Sequence, residues 1–170
     1  MENVKIKKAK IKDDLFLDVE FTEELPGHSK KDTKLSCTVP VHDDLKHAFH
    51  RLHVHLAVLC DEVKLSKKDD VQSVSFDGFG VRSFSISGND ENEGVTISGW
   101  KDGKYGTVSL NTPFAKWEGS DYPFSNELAE QVQHAVYEVE QCLFEGKRAP
   151  ERQLELDFGN EDDGPKTEEV

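Results

Sequence analysis

Between positions 4 and 11, apolar residues (Val4, Ile6, Ala9, Ile11) interleave imperfectly with Lys5, Lys7, Lys8, Lys10 and Lys12. Asp13-Asp14 is a turn pair, and after it Leu15, Leu17, Val19 and Phe21 fall at every second position. A period of two with a turn between predicts a hairpin with one buried face. Residues 26–33 are polar and predict a loop, and residues 35–41, with Pro40 near the end, predict a third strand. The period then changes. Leu45, Phe49, Leu52, Leu56, Leu59 and Val63 are spaced by four, three, four, three and four, one narrow stripe of a helix over 44–65 with Asp43 or Asp44 as its cap.

Strand signals return at 71–76, followed by Asp77-Gly78 as a hairpin turn, then at 79–87. A polar loop over 88–94 leads to strands at 95–100 and 107–110, joined by a turn at Lys101-Asp102-Gly103-Lys104. Residues 113–123 predict an aromatic-containing loop. Leu128, Val132, Ala135, Val139 and Cys142 or Leu143 form the stripe of a second helix over 125–145, with Ser125 as its cap and Gly146 as its terminating glycine. The pattern predicts an α+β fold: antiparallel sheet with two long helices packed on it, in the order βββα-ββββα. Residues 1–146 form the expected domain. Residues 147–170 form an acidic tail expected to be disordered, left through Lys147-Arg148-Ala149-Pro150.

Composition narrows the function. The 170 residues carry a net charge of -13, and residues 151–170 hold eight acidic side chains against Arg152 and Lys166. An acidic surface repels phosphates, which argues against a general duplex-DNA binder. Cys37, Cys60 and Cys142 are far apart and odd in number; they predict neither a disulfide framework nor a zinc site, and read as small core residues. No stretch reaches the ~18 apolar residues of a membrane span and residues 1–12 have no apolar leader, so a cytoplasmic protein without a membrane partner is expected.

His42, His47, His50, His53 and His55 crowd the first helix, but no two are four apart, the spacing that puts two ligands on one helix face. They predict no metal site, and His47, His50 and His53 predict a polar or partner-facing surface. No Gly-x-Ser-x-Gly elbow, catalytic cysteine setting or phosphate loop is present, so neither catalysis nor a cofactor is expected.

Gln153-Leu154-Glu155-Leu156-Asp157-Phe158 places three apolar residues in a polar tail. Gln153, Leu154, Leu156 and Phe158 resemble the sliding-clamp-binding peptide of bacterial replication and repair proteins, Gln-Leu-x-Leu-x-Phe or Leu. The resemblance implies a non-enzymatic accessory protein of DNA replication, repair or phage DNA metabolism, docked on the clamp by its tail. The competing reading is a last strand, since the three apolar residues also alternate.

For the core, the doubled strands-then-helix plan resembles Whirly-type single-strand DNA-binding proteins in topology. That resemblance implies a basic track and aromatic platforms, for which Lys5, Lys7, Lys10, Phe79, Trp100, Tyr105 and Trp117 are the candidates. The bland alternative is that the lysines guard an edge strand and the aromatics are core. A third reading is an acidic protein-binding inhibitor. A basic strip along one sheet face favours single-strand binding, and a uniformly acidic face favours the inhibitor. Monomer and homodimer are both compatible with the sequence.

Overall fold

The computed structural model describes residues 3–150. One antiparallel sheet carries the fold. Its strands are β1 (Val4–Lys12), β2 (Phe16–Glu24), β3 (Lys30–Ser36), β4 (Phe79–Ser87), β5 (Gly94–Gly103), β6 (Gly106–Asn111) and the short β7 (Ala115–Lys116). Their order in space is β3-β2-β1-β4-β5-β6, with β7 also on β5. Helices α1 (Asp43–Arg51), α2 (His53–Leu59) and α3 (Ser125–Phe144) contribute to the core, and among the described residues no element covers the sheet's other face. The predicted α+β class, antiparallel pairing and two helical segments are present, α1 and α2 being one run that tightens at Leu52, whose N–H reaches back to Phe49 (3.0 Å).

The core forms where alternation points inward. Ile6, Ala9 and Ile11 of β1 stand opposite Phe21, Val19 and Leu17 of β2, and Ala9 stands opposite Phe84 of β4. Phe49, Leu52 and Leu56 of the first helical run, and Leu128, Val132, Ala135 and Val139 of α3, close over them. The irregular spacing in β1 is a bulge at Lys7, and β4 has a second at Arg82. A bulge adds a residue, slips the side-chain phase and bends the strand. Here the two bulges bracket the junction of β1 with β4, which pair only through Lys8↔Ser85, Ala9↔Phe84 and Lys10↔Ser83. The sheet is thus two halves, β3-β2-β1 and β4-β5-β6 with the short β7 on β5, pinched together at three residue pairs, with a cleft at each end of the pinch.

Several predicted boundaries are corrected. Residues 30–36 form β3 although 26–33 read as loop; the strand is an exposed edge, so it never needed an apolar face. The first helical run starts with the His42 imidazole, not Asp43 or Asp44, accepting the Asp44 N–H (3.0 Å). It ends at Cys60 rather than Leu65, because Asp61 turns left-handed (φ 59°) and the N–H groups of Asp61 and Glu62 close back on Val58 and Ala57. Residues 71–73 are a turn and 74–76 have no regular structure, so no strand forms there and Asp77-Gly78 joins no hairpin. Val71, Val74 and Phe76 instead cover the far side of α2. The β5–β6 turn is Lys104-Tyr105, because β5 continues through Gly103. Phe124, not Ser125, precedes α3 as its cap residue, whereas Gly146 (φ 70°) ends that helix as predicted. Past it, the Lys147 ammonium meets Asp44 (2.7 Å) and Glu138 (2.8 Å), and the Ala149 N–H bonds Pro40 (3.0 Å), so the chain stays attached through Ala149. Among the described residues no helix is long and apolar enough to cross a membrane.

Candidate nucleic-acid interface

The face of the sheet opposite the helices follows from register. In β1, Lys8 and Lys10 alternate with buried Ala9 and Ile11; in β4 and β5, Ser83, Ser85, Thr96, Ser98 and Trp100 alternate with buried Phe84, Val95 and Ile97. No residue of that second set is buried. Ser98 Oγ donates to Asn111 Oδ1 on β6 (2.6 Å), continuing the hydroxyl-rich surface outward. Lys7 and Arg82 are the extra residues of the two bulges, and both are exposed. Because β1 is a central strand, its lysines do not guard an edge. One strand over, the face is mixed: Glu20 and Asp18 of β2 stand directly across from Lys8 and Lys10, and Lys34 of β3 pairs with Glu20 (3.1 Å).

At one end of the pinch, β1 and β4 diverge and leave an open cleft of about 830 Å³ lined by Lys10, Lys12, Phe79, Arg82 and Trp100, by Asp13 and Asp14 of the β1–β2 turn, and by Lys46, Phe49 and His50 of α1. Trp100 is held by its neighbour: a Cβ on Gly80 would lie 2.4 Å from the indole, so only glycine lets the ring lie against the β4 backbone. Lys46 reaches Asp14 at 4.0 Å. Lys7, Lys8, Lys10, Lys12 and Arg82 have no ion-pair partner among the described residues. Unpaired cations beside a half-buried indole offer phosphates a charged track and a base a stacking surface.

The seven residues expected from sequence divide. Lys10, Phe79 and Trp100 converge on this cleft. Lys7 lines a smaller cleft of about 450 Å³ at the other end of the pinch, with Lys5 and Lys30. Lys5 is committed to Glu93 (2.6 Å). Trp117 stands apart: it packs against the core and its Nε1–H donates to the same Glu93 carboxylate (3.0 Å). Burial pushes Glu93 up, but the hydrogen bonds from Lys5 and Trp117 together outweigh it and hold the carboxyl below its usual range. Tyr105 sits at the β5–β6 turn, 93% exposed, with the Lys104 ammonium 5.3 Å from its ring centroid. Sequence reasoning missed Lys12, Lys46 and Arg82; the phase slip between Val81 and Phe84 was the one signal for Arg82. Gln153, Leu154, Leu156 and Phe158 lie outside the described residues.

The histidine surface expected from spacing is corrected. His53 and His55 are both 2% exposed, because residues 71–76 and 122–124 cover the far side of α2. His53 Nδ1 donates to the His50 carbonyl (2.5 Å) and Nε2 accepts the Phe76 N–H (2.9 Å), which defines a neutral ring. Burial pushes it below its usual range. His47 and His50 remain exposed. Among the described residues no group of three or more His, Cys, Asp or Glu side chains is placed to hold a metal. The cysteines lie half-buried; burial pushes the Cys142 thiol up to about 11, with Cys37 beside it, which disfavours the thiolate.

No protein-family model, curated protein or solved structure matches the chain.

Proposed function

We propose that the protein binds single-stranded nucleic acid across the open sheet face, as a non-enzymatic accessory of DNA replication, repair or phage DNA metabolism. The observation that carries this reading is the cleft where Lys10, Lys12, Lys46 and Arg82 surround Trp100 and Phe79. In a chain of net charge -13, cations such as Lys12 and Arg82, which have neither an ion-pair partner nor an acid directly across the ladder among the described residues, need a reason, and attraction of phosphates is one. The inhibitor reading calls for a uniformly acidic face, and this face is not that. A duplex is a poor fit for a slot between two strand ends, whereas a single strand presents bases that can stack on an indole.

The test is an oligothymidylate titration at increasing salt. Contact with four or five phosphates predicts a slope of log affinity against log salt near about -3, at roughly -0.7 per contact for a single strand. Trp100→Ala is expected to cost about 1–3 kcal/mol of binding with the salt slope unchanged, because stacking carries no charge. A slope near zero would contradict phosphate recognition.

The tail supplies a second, separable contact, favoured by the match at Gln153, Leu154, Leu156 and Phe158: docking on a bacterial sliding clamp. The glutamine amide can both donate and accept at a groove rim, and the three apolar side chains fill pockets. Affinity on the order of micromolar is expected, since a short peptide loses entropy on docking. Leu156→Ala with Phe158→Ala is expected to remove about 3 kcal/mol or more of clamp binding in a calorimetric titration, with the melting temperature unchanged. A lowered melting temperature with no clamp binding would favour the added-strand reading.

A further inference from the structure

Among the described residues the sheet has two edges with no further strand on them, and they are built differently. β3 carries Lys30, Lys31, Asp32 and Lys34, charges of the kind that discourage strand addition. β6, Gly-Thr-Val-Ser-Leu-Asn, has no charged residue and no proline, and all its residues but Leu110 are exposed. Apolar side chains gather along the same edge: Tyr105 is 93%, Val108 44% and Phe114 44% exposed. An uncharged, unprotected edge is a template for another strand.

From this edge we infer that β6 pairs antiparallel with β6 of a second copy, making a two-fold dimer. The register follows from the hairpin. Gly103 and Gly106 close the Lys104-Tyr105 turn as a pair, and Lys101↔Val108 and Gly99↔Leu110 continue inward. In a two-residue hairpin the closing pair is hydrogen-bonded, and bonding then alternates along the strand. The backbone groups of Gly106, Val108 and Leu110 are therefore spent on β5, and those of Thr107, Ser109 and Asn111 point out of the edge.

A two-fold axis through Ser109 sets Ser109 against Ser109 and Thr107 against Asn111 of the second copy, so every outward group has a partner. The same register sets Val108 against Leu110 on the helix side and polar against polar on the open side, and brings Tyr105 alongside Pro113 and Phe114. The edge is its own complement: Thr-Val-Ser-Leu-Asn read backwards still matches apolar with apolar. It is also where two acidic copies can approach without opposing charges. The axis stands perpendicular to the sheet, so both open faces lie on one side of the joined sheet. The inference does not depend on what those faces bind.

The test is the mass in solution of the full chain by light scattering and sedimentation. A dimer of twice the 19.2 kDa chain mass is expected at about 100 µM, falling toward monomer on dilution. Ser109→Pro deletes an outward N–H and leaves the β5 ladder intact, so it is expected to give a folded monomer with unchanged far-ultraviolet dichroism. Val108→Lys, which guards the edge by charge alone, is expected to do the same, and decides the matter if the proline variant fails to fold. A wild-type chain that stays monomeric at about 100 µM, or a dimer that survives Val108→Lys, would overturn the inference.

Discussion

Acidification is expected to cost the fold about 3 kcal/mol through His55 alone. Burial pushes the His55 imidazole from 6.5 down to about 4, and the neighbouring His53 adds to the shift. Its Nδ1 meets the Tyr122 hydroxyl (2.6 Å), and no carboxylate is in hydrogen-bonding contact with it among the described residues. The unfolded chain takes up the proton near 6.5; the folded chain refuses it until about 4. Between those values the unfolded state holds more protons, so stability falls as pH falls. The contribution is complete above 6.5 and spent by about 4, at about 1.4 kcal/mol per pH unit. His53 shifts in the same direction and steepens the loss. Glu93, whose carboxyl is held below 4.5, loses its contribution only further into acid, so the windows separate. Urea unfolding at a series of pH values checks this: wild type weakens from neutrality toward pH 4, and His55→Gln flattens most of that slope. A variant as pH-sensitive as wild type would place the sensitivity elsewhere.

Gly99→Ala is expected to destabilise by about 3 kcal/mol or more, the upper range for overpacking in a core. The new Cβ would lie 2.1 Å from the Gly80 carbonyl oxygen and 2.7 Å from Leu56 Cδ2. The first obstacle is backbone of the paired strand, and the second is a side chain that is fully buried, so neither can give way cheaply. The comparison is Gly119→Ala, where nothing lies within 4 Å and the left-handed φ of 67° is the only penalty, about 1 kcal/mol. Thermal melts of both variants decide it; equal losses would mean that the close approach of β4, β5 and α2 matters little. The same approach lays Trp100 over Gly80, so the tight packing on one side of the sheet shapes the cleft on the other.

How far the fold was legible follows from its residues. The Leu45–Leu56 spacing and the β1–β2 hairpin were plain because each element buries one regular face. The imperfect alternation at Ile6–Ala9 was itself information: the slip marks the Lys7 bulge. Residues 30–36 were opaque because an edge strand has no apolar face to betray it. Residues 71–76 misled because Val71, Val74 and Phe76 are apolar in order to cover α2 rather than to join the sheet, and that cover is what buries His53 and His55. Helix termination at Asp61 was hidden because a non-glycine residue takes the left-handed turn. Of the cleft, Lys10, Phe79 and Trp100 could be nominated from residue type. Lys46 arrives from a helix and Arg82 from a bulge, and only tertiary structure brings them to the same place.

The central claim, that the open face holds single-stranded nucleic acid, is tested most directly by reversing charge in the cleft. Lys10, Lys12 and Arg82 are exposed and make no ion pair among the described residues, so Lys10→Glu, Lys12→Glu and Arg82→Glu together should leave the fold intact, as a melt and dichroism would report. Anisotropy of a labelled oligothymidylate at low salt is the measurement. The wild-type chain is expected to bind, and the triple variant to bind at least about a hundredfold more weakly, since three phosphate contacts become repulsions. A wild-type chain that does not bind, or a folded triple variant that binds as tightly, would contradict the account.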